Sequence, residues 1–146
     1  MRFRPARLRR LVPLGLLSLL AGCQQSSSTA PAGASVPAAA AADRGAALYA
    51  QNCVPCHRDN GEGLPKVFPS LSGSPAVVGD PIELAQWILS QKRPASIPAG
   101  RYPTQMLLFG WMSDPDAAAL LTFIRSHFGN SAPPVDAAMI AKSREK

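Results

Sequence analysis

Apolar positions recur at helical spacing in three stretches, and none alternates long enough to argue a strand. Gly45, Leu48, Tyr49 and Asn52 share one face of a first helix that Asp43 can cap. Asp80-Pro81-Ile82-Glu83 opens a second. Asp80 caps it, Pro81 sits where a missing N–H costs nothing, and Glu83 can reach back. Ile82, Ala85 and Leu89 then form its face. Ser113-Asp114-Pro115-Asp116 starts a third in the same style; Ala117, Leu120, Leu121, Ile124 and Phe128 make its stripe, and Gly129 ends it. A short fourth helix is expected around Asp136 to Lys142. The pattern predicts an all-α domain of three to four helices over residues 43–130, followed by a C-terminal extension over 131–146.

The segment ahead of that domain reads differently. Arg2, Arg4, Arg7, Arg9 and Arg10 precede an apolar run from Leu11 to Ala21, which is the layout of an export signal over residues 1–22. The run is too short to span a bilayer. Leu20-Ala21-Gly22-Cys23 resembles the lipobox of bacterial lipoproteins. That resemblance implies acylation of Cys23, anchorage to a membrane surface, and a location facing the periplasm or the cell surface. Residues 24–42 are mostly Ala, Ser and Pro, with no charge and almost no large apolar residue, and read as a flexible tether.

Charge changes meaning once the leader is set aside. The full chain carries 15 Lys and Arg against 9 acidic residues, but five of the basic residues lie in the first ten. The remaining balance is close to neutral, so the basic composition gives no reason to expect a nucleic-acid partner.

Two features of the domain ask for a partner inside it. Residues 91–110 hold Pro94, Pro98, Gly100 and Pro103 and form a long loop, which is reasonable only if it wraps something. Three helices of this size also bury too little apolar area alone. A large apolar cofactor would answer both.

Cys53-Val54-Pro55-Cys56-His57 supplies the chemistry. C-x-x-C-H is a haem c attachment pattern: two thiols three residues apart can each add across one vinyl group, and the next residue sets an imidazole beneath the iron. A thiol–disulfide oxidoreductase would place the pair at the start of a helix after a strand, and here it follows a helix. A structural zinc would need more ligands, and the remaining histidine is His127.

From Asp43 to Asn130 the sequence resembles class I cytochromes c. The residues that carry the likeness are the C-x-x-C-H segment after a helix, the Gly61-Glu62-Gly63 turn, Pro69-Ser70-Leu71, and Met106-Leu107-Leu108-Phe109-Gly110-Trp111-Met112-Ser113-Asp114 before the last helix. Leu107 stands where that family usually has proline. The resemblance implies one covalent haem c held by Cys53 and Cys56, with His57 as proximal iron ligand. The Pro69 carbonyl would accept the His57 Nδ1 proton and fix the ring. A neutral thioether would be the distal ligand. Met106, Met112 and Met139 are the candidates, and the match places the ligand at Met106, with Met112 as the alternative and as the expected core side chain.

His127 reads as a surface or packing residue. Tyr49 and Phe123 read as packing where first and last helices cross. Trp87 and Trp111 are expected either beside the haem or in the core. Lys66, Lys92, Arg93 and Arg101 read first as solvated, with orientation of an acidic partner as the second reading. The expected function is one-electron transfer to and from redox protein partners, without turnover chemistry at a six-coordinate iron. The alternatives are an electron-transfer subunit of a membrane-associated dehydrogenase or oxidase, and ligand sensing or peroxidase-like activity at a five-coordinate haem.

Overall fold

The computed structural model describes residues 38–145. The expected signal, the expected acylation site Cys23 and most of the expected tether lie outside them. Six helices are present among the described residues: α1 (Ala38–Asn52), α2 (Val54–His57), α3 (Pro75–Val78), α4 (Pro81–Ser90), α5 (Asp114–Ser126) and α6 (Ala137–Arg144). There is no strand among them, only an isolated bridge between Leu64 and Phe68. The fold is all-α; α1, α4 and α5 are the three helices read from the periodicity, and α2 and α3 are single turns.

Helix α1 starts earlier than its charge pattern implies. Ala38 to Ala42 are already helical, so Asp43 lies inside the helix and does not cap it. Alanine has the highest helix propensity, and a run of five extends the helix into what reads as tether. Helix α1 packs across α5. A Cβ on Gly45 would strike the Ala119 carbonyl and come within 2.8 Å of Phe123 Cβ, so only glycine lets the two backbones approach this closely. Arg44 closes the crossing with two bonds to the Asp116 carboxylate, at 2.8 and 3.0 Å.

The Asp80 carboxylate accepts from the N–H groups of Ile82 and Glu83 at 2.7 and 3.3 Å, while Glu83 itself is exposed. The buried face of α4 is Leu84, Ala85, Ile88 and Leu89, and Ile82 is only half-buried. Ser113 caps α5 by accepting from Asp116 N–H at 3.3 Å. Helix α5 stops at Ser126, and Phe128 and Gly129 follow in left-handed backbone.

The folded part does not end at Asn130. Asp136 accepts from Met139 N–H at 2.8 Å and starts α6, which packs on α4 and α5. Ile140 and Ser143 are buried in that contact. The sequence offers few apolar residues there, and the burial depends on the receiving surface.

Arg125 is 2 % exposed, although nothing in the local sequence marks it as structural. Its guanidinium donates to the carbonyls of Val77 (2.6 Å), Gly79 (2.9 Å) and Pro133 (2.9 Å). It thereby joins the end of α3 and the chain after α5 to the core. Burial holds its pKa below the usual arginine value, and the Asp80 charge opposes that shift. The satisfied donors make a buried cation tolerable.

Candidate cofactor site

The first half of the site is local. Cys53 N–H donates to Tyr49 O at 2.8 Å, and His57 N–H donates to Cys53 O at 2.8 Å. Both thiols and the imidazole thus hang from the end of α1 and the single turn α2. The Tyr49 hydroxyl donates to Arg58 O at 2.6 Å and fixes the exit from that turn. Cys53 and His57 are buried and Cys56 is half-buried; both thiols are free.

The chain then folds back against His57. Gly63 N–H donates to His57 O at 3.0 Å, and Leu71 N–H to Gly61 O at 2.8 Å. His57 Nδ1 lies 3.0 Å from Pro69 O. Since a carbonyl only accepts, Nδ1 carries the proton and the lone pair sits on Nε2. Gly63 makes this possible: its φ is +66°, and a Cβ there would lie 2.5 Å from both Phe68 O and Pro69 O. Asn130 steadies the next residues. Its side chain accepts from Gly73 N–H at 2.8 Å and donates to Leu71 O at 3.1 Å and Ile124 O at 3.0 Å.

The environment sets the protonation states. Burial lowers the His57 pKa, only partly opposed by the Pro69 bond, so the ring is neutral and able to donate its lone pair. Burial, with the Cys56 charge adding to it, pushes the Cys53 thiol up to about 12. An attacking redox cysteine is shifted the other way, which argues against a thiol–disulfide oxidoreductase. Among the described residues no three His, Cys, Asp or Glu side chains cluster as a zinc site would need.

The second half comes from the long loop. Gln91 ends α4 in a left-handed conformation; its amide donates to Met106 O at 2.8 Å and accepts from Gln105 Nε2 at 2.9 Å. Phe109 N–H donates to Ile88 O at 3.1 Å. These bonds bring half-buried Met106 to a cleft of about 610 Å³ that Cys53, Cys56, His57, Pro69 and Trp87 also line. A smaller apolar pocket of about 70 Å³ adjoins it, walled by Leu84, Ile88, Leu120 and Ile124. The larger volume is that of a small-molecule or cofactor site.

The other candidates lie elsewhere. Met112 is 2 % exposed in the core, and neither it nor Met139 lines the cleft. Arg93 and Arg101 line the cleft, with Arg93 over the Trp87 ring at 4.8 Å; Lys66 and Lys92 are exposed outside it. Trp111 is 69 % exposed, neither core nor cleft. His127 is exposed, stacked on Phe123 at 3.8 Å, and its Nδ1 bonds Phe123 O at 2.9 Å. Tyr49 and Phe123 pack at 5.5 Å where α1 meets α5. Gln91 and Asn130, which hold the two sides of the cleft, carry no local signal in the sequence; polar residues in loops are common, and their partners lie far along the chain.

Two free thiols, a neutral imidazole with one open nitrogen and a thioether, all on one cleft with an apolar inner pocket beside it, fit a covalently held haem. The protein is thus a small all-α haem protein of the c type. The cytochrome c family model matches residues 42–128, and the chain belongs to that family. Membership of that family implies covalently bound haem c as the cofactor. It is 35% identical over 105 residues to the alcohol dehydrogenase (quinone) cytochrome c subunit of Gluconobacter oxydans, covering 68% of this chain and 22% of that one. It is 30% identical over 91 residues to the gluconate 2-dehydrogenase cytochrome c subunit of Pantoea cypripedii, covering 60% and 21%. Cytochrome c-552 of Thermus thermophilus matches at 29% over 92 residues, covering 60% and 70%. The chain spans about a fifth of the length of the two dehydrogenase subunits.

Proposed function

We propose that Cys53 and Cys56 hold the haem by thioether bonds, that His57 Nε2 and Met106 Sδ are the iron ligands, and that the protein passes single electrons between redox partners at a membrane surface. The observation that supports this most is that one cleft gathers Cys53, Cys56, His57 and Met106 while Met112 is packed away from it. The haem iron supplies a ferric/ferrous couple when bound. The Pro69 carbonyl orients the His57 ring and raises its basicity. Trp87, Phe109, Leu84 and Ile88 line the inner side of the cleft and exclude water, so that little solvent would have to reorient when the iron gains or loses one electron.

The lipobox-like Cys23 supports anchorage of the exported protein to a membrane, facing the periplasm or the cell surface. No helix among the described residues is long and apolar enough to cross a membrane. A second reading, favoured by the two dehydrogenase-subunit relatives, is that the protein serves as the cytochrome subunit of a membrane-associated dehydrogenase. Co-purification with a catalytic subunit after mild detergent extraction separates that reading from a freely exchanging carrier.

The ligand assignment is tested by absorption spectra and haem-stained gels of wild type, Met106→Ala and Met112→Ala, with intact mass of the mature protein. Wild type should carry two thioether bonds and a thioether-to-iron charge-transfer band. Met106→Ala should keep the haem, lose the band, and bind carbon monoxide rapidly when reduced. Loss of the band in Met112→Ala alone would refute the assignment.

A further inference from the structure

The distal segment is held at its far end by a residue beyond the family match. Arg144, in the last turn of α6, donates from Nε to the Asp114 carboxylate at 2.7 Å, from one terminal nitrogen to Gly110 O at 3.1 Å, and from the other to Met112 O at 2.6 Å. All three acceptors lie 30 to 34 residues away in sequence, between Met106 and the first turn of α5. The near end of the segment is fixed by Gln91 at Met106 O and by Ile88 at Phe109 N–H. Leu107 and Leu108, between those ties, are 69 and 52 % exposed and contribute little packing. The segment also lacks the proline that would stiffen it.

We infer that Arg144 is a positioning residue for the distal thioether: α6 braces the segment that carries Met106, and without the brace the sixth iron position opens more often. This rests on Met106 being the ligand. The planar fork suits the role, because one guanidinium spans two carbonyls and a carboxylate, which a lysine ammonium cannot do. Two of its three acceptors are backbone carbonyls, so the brace acts on the path of the chain. Ile140 and Ser143, buried against α4 and α5, hold the helix that presents it.

The test compares Arg144→Ala, Arg144→Lys and Lys142→Ala in the haem-loaded full chain, with carbon monoxide as probe. Lys142 is exposed on the same helix and serves as control. Reduced Arg144→Ala should bind carbon monoxide about tenfold faster than wild type, the effect of about 1.4 kcal/mol on local opening. In urea it should lose the charge-transfer band before it loses helix signal. Arg144→Lys, which keeps the charge but not the fork, should fall between, and reports on the brace if the alanine variant folds poorly. Lys142→Ala should match wild type. Wild-type carbon monoxide rates in both Arg144 variants, with Met106→Ala showing the expected loss of the band, would overturn the brace alone. Retention of the band in Met106→Ala would overturn the ligand reading and the brace with it.

Discussion

Replacing Gly63 with alanine should damage both the stability of this cytochrome and the setting of the His57 ring. At φ +66° a Cβ costs about 1–2 kcal/mol of backbone strain. The added methyl would also stand 2.5 Å from the carbonyl oxygens of Phe68 and Pro69. Real Cβ atoms essentially never come closer than 3.0 Å, so those carbonyls must give by about 0.5 Å. Pro69 O is the acceptor for His57 Nδ1, and Phe68 O accepts from Leu64 N–H at 3.0 Å. Weakening those bonds adds about 1 kcal/mol. The expected loss is about 2–3 kcal/mol, or roughly 10–20 °C in the unfolding midpoint of a domain near 100 residues. The control is Gly73→Ala, where φ is +61° but a Cβ meets nothing within 4 Å. That variant should carry the backbone cost alone, about 1–2 kcal/mol. The reduction potential separates the two more sharply. A His57 ring with a weaker Nδ1 bond is less basic and favours the ferric state less, so the Gly63→Ala potential should rise, by about 20–40 mV if half a tenfold preference is lost. The Gly73→Ala potential should stay at the wild-type value. Equal stability losses and equal potentials in the two variants would refute the link from Gly63 through Pro69 to His57.

Two further perturbations test the frame around the cleft. Arg125→Met should cost about 2–3 kcal/mol in urea unfolding at an unchanged m-value, since the buried Val77 carbonyl loses its donor while the Gly79 and Pro133 carbonyls regain water; an unchanged midpoint would count against it. Asp116→Asn should flatten the acid limb of the stability curve. Arg44 holds the Asp116 carboxyl below its ordinary value, so the pair stabilises above the unfolded-state pKa near 3.8 and is lost as pH falls through the lower folded value. An acid limb identical to wild type would show that the α1–α5 ion pair plays no part.

Local chemistry explains what the sequence determined by itself. Cys53, Cys56 and His57 fall within a single helical turn after α1, so their mutual placement needs no distant partner. The Asp80 and Ser113 caps likewise act over two or three residues, and they mark the starts of α4 and α5 directly. The helical stripes of α4 and α5 announce an all-α core, although the buried face of α4 turns toward Leu84 and Ile88 and away from Ile82.

Tertiary structure decided what depends on partners far along the chain. Three methionines had the right chemistry, and only packing sent Met112 into the core and Met106 to the cleft. Burial of Arg125 exists because the Val77 carbonyl, 48 residues away, arrives beside it. Asn130, 57 residues from Gly73, and Arg144, 34 residues from Gly110, look like ordinary surface side chains until the fold brings their acceptors into reach. The same holds for the end of the domain. Helix α6 has too few apolar residues to declare itself, and the surface of α4 and α5 gives Ile140 somewhere to be buried. Hydrogen bonds and contacts of this kind are short in space and long in sequence, so a local pattern carries no trace of them until the chain has closed around its core.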